Sequence, residues 1–147
     1  MTWETIDVET DGRIATVTLQ RPEKLNAISS ELQSELLTAL EQLADDHAIH
    51  AIIVTGAGRA FSTGYDITDG GTGGGGVPGD RAGLERIMRN WQRIWDLPVP
   101  VIAKVRGYCL AGGTQLAAIC DVTFTADEAK VGTPQLPLGA GYVGSIW

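Results

Sequence analysis

Ala51-Ile52-Ile53-Val54 is an unbroken apolar run closed by Gly56, and it restricts the fold more than any other stretch of the chain. A run this short, bounded by glycine, is consistent with a buried parallel strand, and a parallel neighbour demands a crossover, usually a helix. The flanking patterns supply the crossovers. Thr5 to Glu9 and Arg13 to Gln20 read as a hairpin around Thr10-Asp11-Gly12, with Ala15, Val17 and Leu19 alternating against Thr16 and Thr18. Arg21-Pro22 then stops the strand. Ser30 with Gln33 has the form of a capping box, and Leu32, Leu36, Leu40 and Leu43 follow at helical spacing. Asp80 to Trp95 forms a second amphipathic helix, with Leu84, Ile87, Met88, Trp91 and Ile94 on the core side. Val99 to Val105 is a further inner strand, Gly112 to Ile119 a buried helix, and Asp121 to Ala126 another strand. The alternation predicts an α/β domain of repeating ββα or βαβ units, helices packed on parallel sheet. At 147 residues and 44% hydrophobic composition it fits one compact domain, residues 1–147. The glycine-rich tract within 70–79 is expected to be a flexible loop, either a flap over a site or an inert connection.

Several function classes are excluded at this level. A net charge of −7 opposes nucleic-acid binding, which needs a basic patch. Met1-Thr2-Trp3-Glu4 does not resemble a signal peptide, and no apolar run approaches membrane-spanning length, so a cytoplasmic protein without a membrane partner is expected. Cys109 and Cys120 sit in apolar sequence and read as two buried thiols, neither a disulfide framework nor a metal site. His47 and His50 flank a helix end with no third ligand at metal spacing. Gly56-Ala57-Gly58 after a strand suggests dinucleotide binding, but the third glycine position of that fingerprint is Phe61.

Two glycine-bearing segments follow apolar strands: Val54 leads into Thr55 to Gly64, and Val105 into Gly107 to Gly113. Each can present a backbone N–H that a ligand approaches without meeting a Cβ. Two such amides, if they converge, make an oxyanion hole, as needed when a thioester carbonyl becomes an enolate.

Ala60-Phe61-Ser62-Thr63-Gly64-Tyr65-Asp66-Ile67, Gly107 to Ala117, Val131-Gly132-Thr133-Pro134-Gln135 and Arg21 to Ala27 together resemble the crotonase family, also called the enoyl-CoA hydratase/isomerase family. The resemblance implies a crotonase-like spiral core of repeated ββα units and a substrate carried as a coenzyme A thioester, with no bound cofactor and no metal. It places the oxyanion donors at the amides of Thr63 and Gly112, and the acyl-CoA channel along Lys24, Leu25, Phe61, Gly64, Tyr65, Asp66 and Gly113. In hydratase members the positions of Gln115 and Gln135 hold the catalytic glutamates, and a further carboxylate used by some members falls here at Val143. An amide cannot take and return a proton as a carboxylate does. The resemblance therefore implies acyl-CoA chemistry without efficient hydration, with a non-catalytic acyl-CoA binder or inactive fragment as the alternative. Tyr65, Asp69 and Tyr142 are the nearby candidates for a replacement acid. The family's C-terminal helices, which close the site and build a trimer, are missing after Trp147, so the chain resembles an N-terminal part. A homotrimer or hexamer is expected of the longer protein.

Overall fold

In the computed structural model, residues 2–68 and 76–134 are described, those from 76 to 84 by their backbone alone. The hairpin is present as β1 (Ile6–Asp11) and β2 (Ile14–Leu19), with Asp11 opposite Ile14 and Gly12 at φ +58° in the turn. β3 (Ala51–Gly56), β5 (Val101–Val105) and β7 (Val122–Thr125) extend it into a five-stranded sheet ordered β1-β2-β3-β5-β7, with every pair after the hairpin parallel. Three short strands, β4 (Ala60–Ser62), β6 (Tyr108–Leu110) and β8 (Lys130–Gly132), form a second parallel sheet.

Each turn of the chain thus lays one strand in the large sheet and one in the small sheet. β3 and β4 lead to α2 (Gly76–Trp95), and β5 and β6 to α3 (Gly112–Ile119). This is the repeated ββα core that the sequence predicts. The short sheet has no counterpart in the predicted elements, because strands of three residues are too brief to show a period.

The core lies between the large sheet and the helices. Ala15, Val17 and Leu19 of β2 and Ile52 and Val54 of β3 are fully buried, as are Leu32, Leu36 and Leu40 of α1 (Ser30–Asp45). Burying each leucine contributes about 1.5–3 kcal/mol. Register pairs Ala15 with Ile52 and Val17 with Val54, so the apolar stripe is continuous across the strands. Ile53 between them is only half-buried, so β3 buries one face where its apolar run suggests two.

Two helix starts differ from expectation. Ser29, not Ser30, caps α1, its hydroxyl accepting the Leu32 N–H at 3.1 Å. Gln33 accepts a hydrogen bond from Asn90 Nδ2 (2.9 Å) and ties α1 to α2. The backbone of α2 is helical from Gly76, ahead of the expected Asp80, so residues 76–79 are not loop. Residues 69–75 lie outside the described part.

One buried polar side chain holds the two sheets' connections together. Asn26, fully buried, accepts the Arg21 N–H (3.0 Å) and donates to the carbonyls of Ala57 (2.9 Å) and Ala60 (2.8 Å). Its φ of +54° is a left-handed conformation that asparagine tolerates better than most residues. Asn26→Ala leaves three backbone groups without their partner, at about 1–3 kcal/mol for each buried one. A loss of about 3 kcal/mol or more is expected in urea denaturation, and a loss under about 1 kcal/mol contradicts this role.

Candidate active site

The two glycine-bearing loops meet. Gly64 has φ +103°, and a Cβ built on it would lie 2.8 Å from Ala111 Cβ and 3.0 Å from the Gly112 nitrogen. Only glycine lets the loop after β4 come this close to the start of α3. Gly113 serves the same approach one residue on, since a Cβ there would fall 2.3 Å from the Ser62 carbonyl oxygen. Its part is close packing of α3 on β4.

Gly112 opens α3, and its N–H has no hydrogen-bond acceptor among the described residues. First-turn amides have no partner within their own helix, and the helix dipole makes this end favourable for negative charge. The amide is aimed by Ala111, whose φ of +51° and ψ of −119° are strained for a residue with a Cβ. The Thr63 N–H is differently placed. It donates to the Leu25 carbonyl at 3.2 Å, at the long end for such bonds, and the Thr63 hydroxyl touches the same oxygen at 3.4 Å. Leu25 itself is left-handed, φ +52°, and follows the 3-10 turn Pro22–Lys24, where Lys24 is exposed.

Tyr65 is no exposed loop tyrosine. Its ring covers Gly112, where a Cβ would come within 2.8 Å of it. Its hydroxyl accepts from Trp91 Nε1 (2.8 Å) and donates to Gln115 Oε1 (3.4 Å). Burial pushes the phenol well above its ordinary pKa, and the Trp91 hydrogen bond only partly offsets this. The hydroxyl therefore stays protonated at neutral pH, a hydrogen-bond donor and no base.

Asp66 is fixed inside its own loop. Its carboxylate accepts the Thr68 hydroxyl (2.6 Å) and the Thr68 N–H (3.0 Å), and pairs with Arg21 Nη2 (2.9 Å). These contacts, the Thr68 hydroxyl foremost, hold its pKa at about 2. Arg21 also donates to the Ala27 carbonyl (2.6 Å), joining the loop to the segment before α1. With the folded pKa below the ordinary 3.8, this contribution to stability is complete above about pH 4 and fades as pH falls through about 2. Asp66→Asn is expected to flatten the fall of the denaturation midpoint over that window. An unchanged slope contradicts the assignment.

The structure brings Thr63, Gly64, Tyr65, Gly112, Gly113 and Gln115 together. Phe61 is enclosed in the apolar core, so its side chain anchors the loop and does not line an open channel. Gln135, Asp69, Tyr142 and Val143 lie outside the described residues. Burial raises the thiols of Cys109 and Cys120 to about 11 and about 12, so neither supplies a thiolate at neutral pH. The Gly56-Ala57-Gly58 loop leads into β4 and not into a helix, which removes the dinucleotide reading. Sequence reasoning missed Arg21, Asn26 and Trp91 as builders of the site. Arg21 and Asp66 are 45 positions apart, and no local pattern links them.

Residues 9–144 match the family model described as enoyl-CoA hydratase/isomerase. The chain is similar to a probable enoyl-CoA hydratase from Mycobacterium bovis, 41% identical over 95% of this chain and 52% of the relative. It is similar also to a hydroxycinnamoyl-CoA hydratase-lyase from Pseudomonas fluorescens, 34% identical over 93% of this chain and 51% of the relative. Among solved structures, an enoyl-CoA hydratase/isomerase from Xanthobacter autotrophicus superposes with a TM-score of 0.86 at 39% identity, covering 97% of this chain and 53% of that one. The chain thus spans about half the length of the relatives it matches.

Proposed function

This chain belongs to the enoyl-CoA hydratase/isomerase family, and we propose that its site holds an acyl-CoA thioester and stabilises the enolate formed from it. The observation that carries this reading is the meeting of the Gly64 loop with the Gly112 N–H at the start of α3, which has no hydrogen-bond acceptor among the described residues. Thr63 supplies the second donor. An oxyanion accepts a charge-assisted bond roughly twice as strong as a neutral one. That difference lets it compete for a Thr63 N–H now spent on a long bond to Leu25.

The acid–base groups decide which reaction follows. Gln115 and Gln135 are amides and cannot shuttle protons. Decarboxylation of a malonyl-type thioester suits them better than hydration. The bond to the carboxylate carbon breaks, CO₂ leaves, and the electron pair left behind forms the enolate. The α-carbon then takes a proton from water. No resident cofactor enters this scheme, since coenzyme A arrives with the substrate. Val122, Phe124 and Val131 expose apolar surface on β7 and β8, of the kind that a homotrimer or hexamer of the longer protein would cover.

Incubation with crotonyl-CoA and with malonyl-CoA, each followed by mass spectrometry, tests the reading. Loss of CO₂ outpacing water addition is expected. Hydration as the faster reaction overturns the role given to the glutamines. Binding of both esters without turnover of either selects the second reading, a non-catalytic acyl-CoA binder, which the amide at position 115 favours.

A further inference from the structure

We propose that Tyr65 is a specificity-determining residue: its ring, clamped by Trp91, closes the space between α2 and α3 beside Gly112 and restricts the site to thioesters of short acyl groups. This rests on the acyl-CoA reading above and names the substrate class for that same site.

The residue is fixed at both ends. On the backbone side, the Ile28 N–H donates to the Gly64 carbonyl (2.7 Å) and the Asp66 N–H donates to the Ile28 carbonyl (2.9 Å). The peptide units before and after Tyr65 are thus both tied to the segment ahead of α1. On the hydroxyl side, Trp91 Nε1 donates to the Tyr65 oxygen at 2.8 Å. An indole N–H can only donate, and Trp91 is only 5% exposed, so swinging the phenol away strands a buried donor. The two ring centroids lie 6.4 Å apart, within the range of favourable aromatic contact.

The ring fills the route that an acyl chain would take. Its Cε2 and Cδ2 lie 2.8 and 2.9 Å from where a Cβ of residue 112 would stand, directly against the residue whose N–H is assigned to the thioester oxygen. Here α2 packs on α3. The ring crosses from Gly112 to the indole of α2, and its hydroxyl also meets Gln115 Oε1 of α3 at 3.4 Å. A thioester held at Gly112 has one charged end and one apolar end. The coenzyme end carries phosphates and stays in water, so the acyl end turns inward. A short acyl group stops against the ring, whereas a longer one has to displace it. Tyr65 packs on the buried cluster that includes Ile87, Trp91 and Leu116, so removing the ring uncovers an apolar lining for further carbons.

The test is competitive binding of octanoyl-CoA against butyryl-CoA, esters that differ only in chain length. A buried methylene strengthens binding about fourfold, so a site open to the longer chain prefers it strongly. The unaltered protein is expected to bind octanoyl-CoA no more tightly than butyryl-CoA. Tyr65→Ala is expected to shift the ratio toward octanoyl-CoA by about tenfold or more. Tyr65→Leu, which removes less packing, replaces it if the alanine variant does not melt cooperatively, with a shift in the same direction. Trp91→Phe keeps a ring in the core but frees the Tyr65 hydroxyl, and is expected to shift the ratio the same way by a smaller factor. A merely structural Trp91 would weaken both esters alike and leave the ratio where it was. A ratio unmoved in the folded Tyr65 variant or in Trp91→Phe, or an octanoyl preference in the unaltered protein, overturns the clamped gate while the acyl-CoA reading stands. Failure of the unaltered protein to bind either ester more tightly than free coenzyme A overturns that reading and this proposal together.

Discussion

Gly112→Pro is expected to reduce turnover of a thioester substrate about 10²–10³-fold below Gly112→Ala, the usual cost of one oxyanion donor. The comparison with alanine matters because the site is tight. Any Cβ at position 112 falls 2.8 Å from the Tyr65 ring, so both variants must shift Tyr65 by a similar amount. They differ in the N–H, which alanine keeps and proline lacks. Proline is tolerated near a helix start, but the ψ of −119° at Ala111 departs from what a residue before proline prefers. A cooperative melt and retained binding of a coenzyme A ester are therefore required before kcat/KM is compared. Thr63→Val should be mild, since the Thr63 hydroxyl makes only a 3.4 Å contact with Leu25. Equal losses in the proline and alanine variants, or a Thr63→Val variant as damaged as Gly112→Pro, would sink the two-amide arrangement.

The second large effect runs the other way. Gln115→Glu combined with Gln135→Glu, placed in a chain of the relatives' full length, is expected to raise hydration of crotonyl-CoA by about 10²-fold or more. Two carboxylates restore groups able to give and take a proton. At position 115 the new carboxylate receives the Tyr65 hydroxyl, which stays protonated because burial disfavours its anion. That hydrogen bond favours the charged carboxylate and pulls its pKa down, opposing the rise that partial burial causes. Adding Tyr65→Phe to the double variant should therefore move the acid limb of the pH–rate profile upward. If the double variant binds crotonyl-CoA and gains no hydration rate, the enolate geometry assigned to Gly112 and Thr63 is wrong.

Among the described residues, β2, α1 and α2 were legible because their signals are periodic, and β3 because it is an unbroken apolar run. Leu32, Leu36 and Leu40 mark a helix, and Ala15, Val17 and Leu19 a one-faced strand, without any knowledge of their neighbours. The small sheet was not legible. Ala60–Ser62, Tyr108–Leu110 and Lys130–Gly132 are each three residues long, and their pairing depends on loops meeting across long separations. The candidate site divides along the same line. Gly64 and Gly112 stood out as glycines after strands, but their contact depends on two separate turns of the spiral arriving together. Trp91 carried an ordinary core signal, and only the fold sets its indole N–H against Tyr65. Asn26 lay inside the Arg21 to Ala27 segment of the family resemblance, but its role was not legible, since it joins the Arg21 N–H to the distant carbonyls of Ala57 and Ala60.

Ala111 gives the molecule a schedule. A residue held at φ +51° and ψ −119° stays there only because β6 on one side and α3 on the other leave it no alternative. The strain is settled when the chain folds, long before a ligand diffuses in. On the function proposed above, the Gly112 N–H that follows it is already pointed when the encounter happens, and no rearrangement at Gly112 has to precede or follow capture. In stopped-flow mixing with a coenzyme A ester, the observed rate should climb linearly with ligand concentration, without the plateau that marks a slow isomerisation. Heat or denaturant acting on the first turn of α3 would, by the same logic, extinguish capture before the large sheet opens.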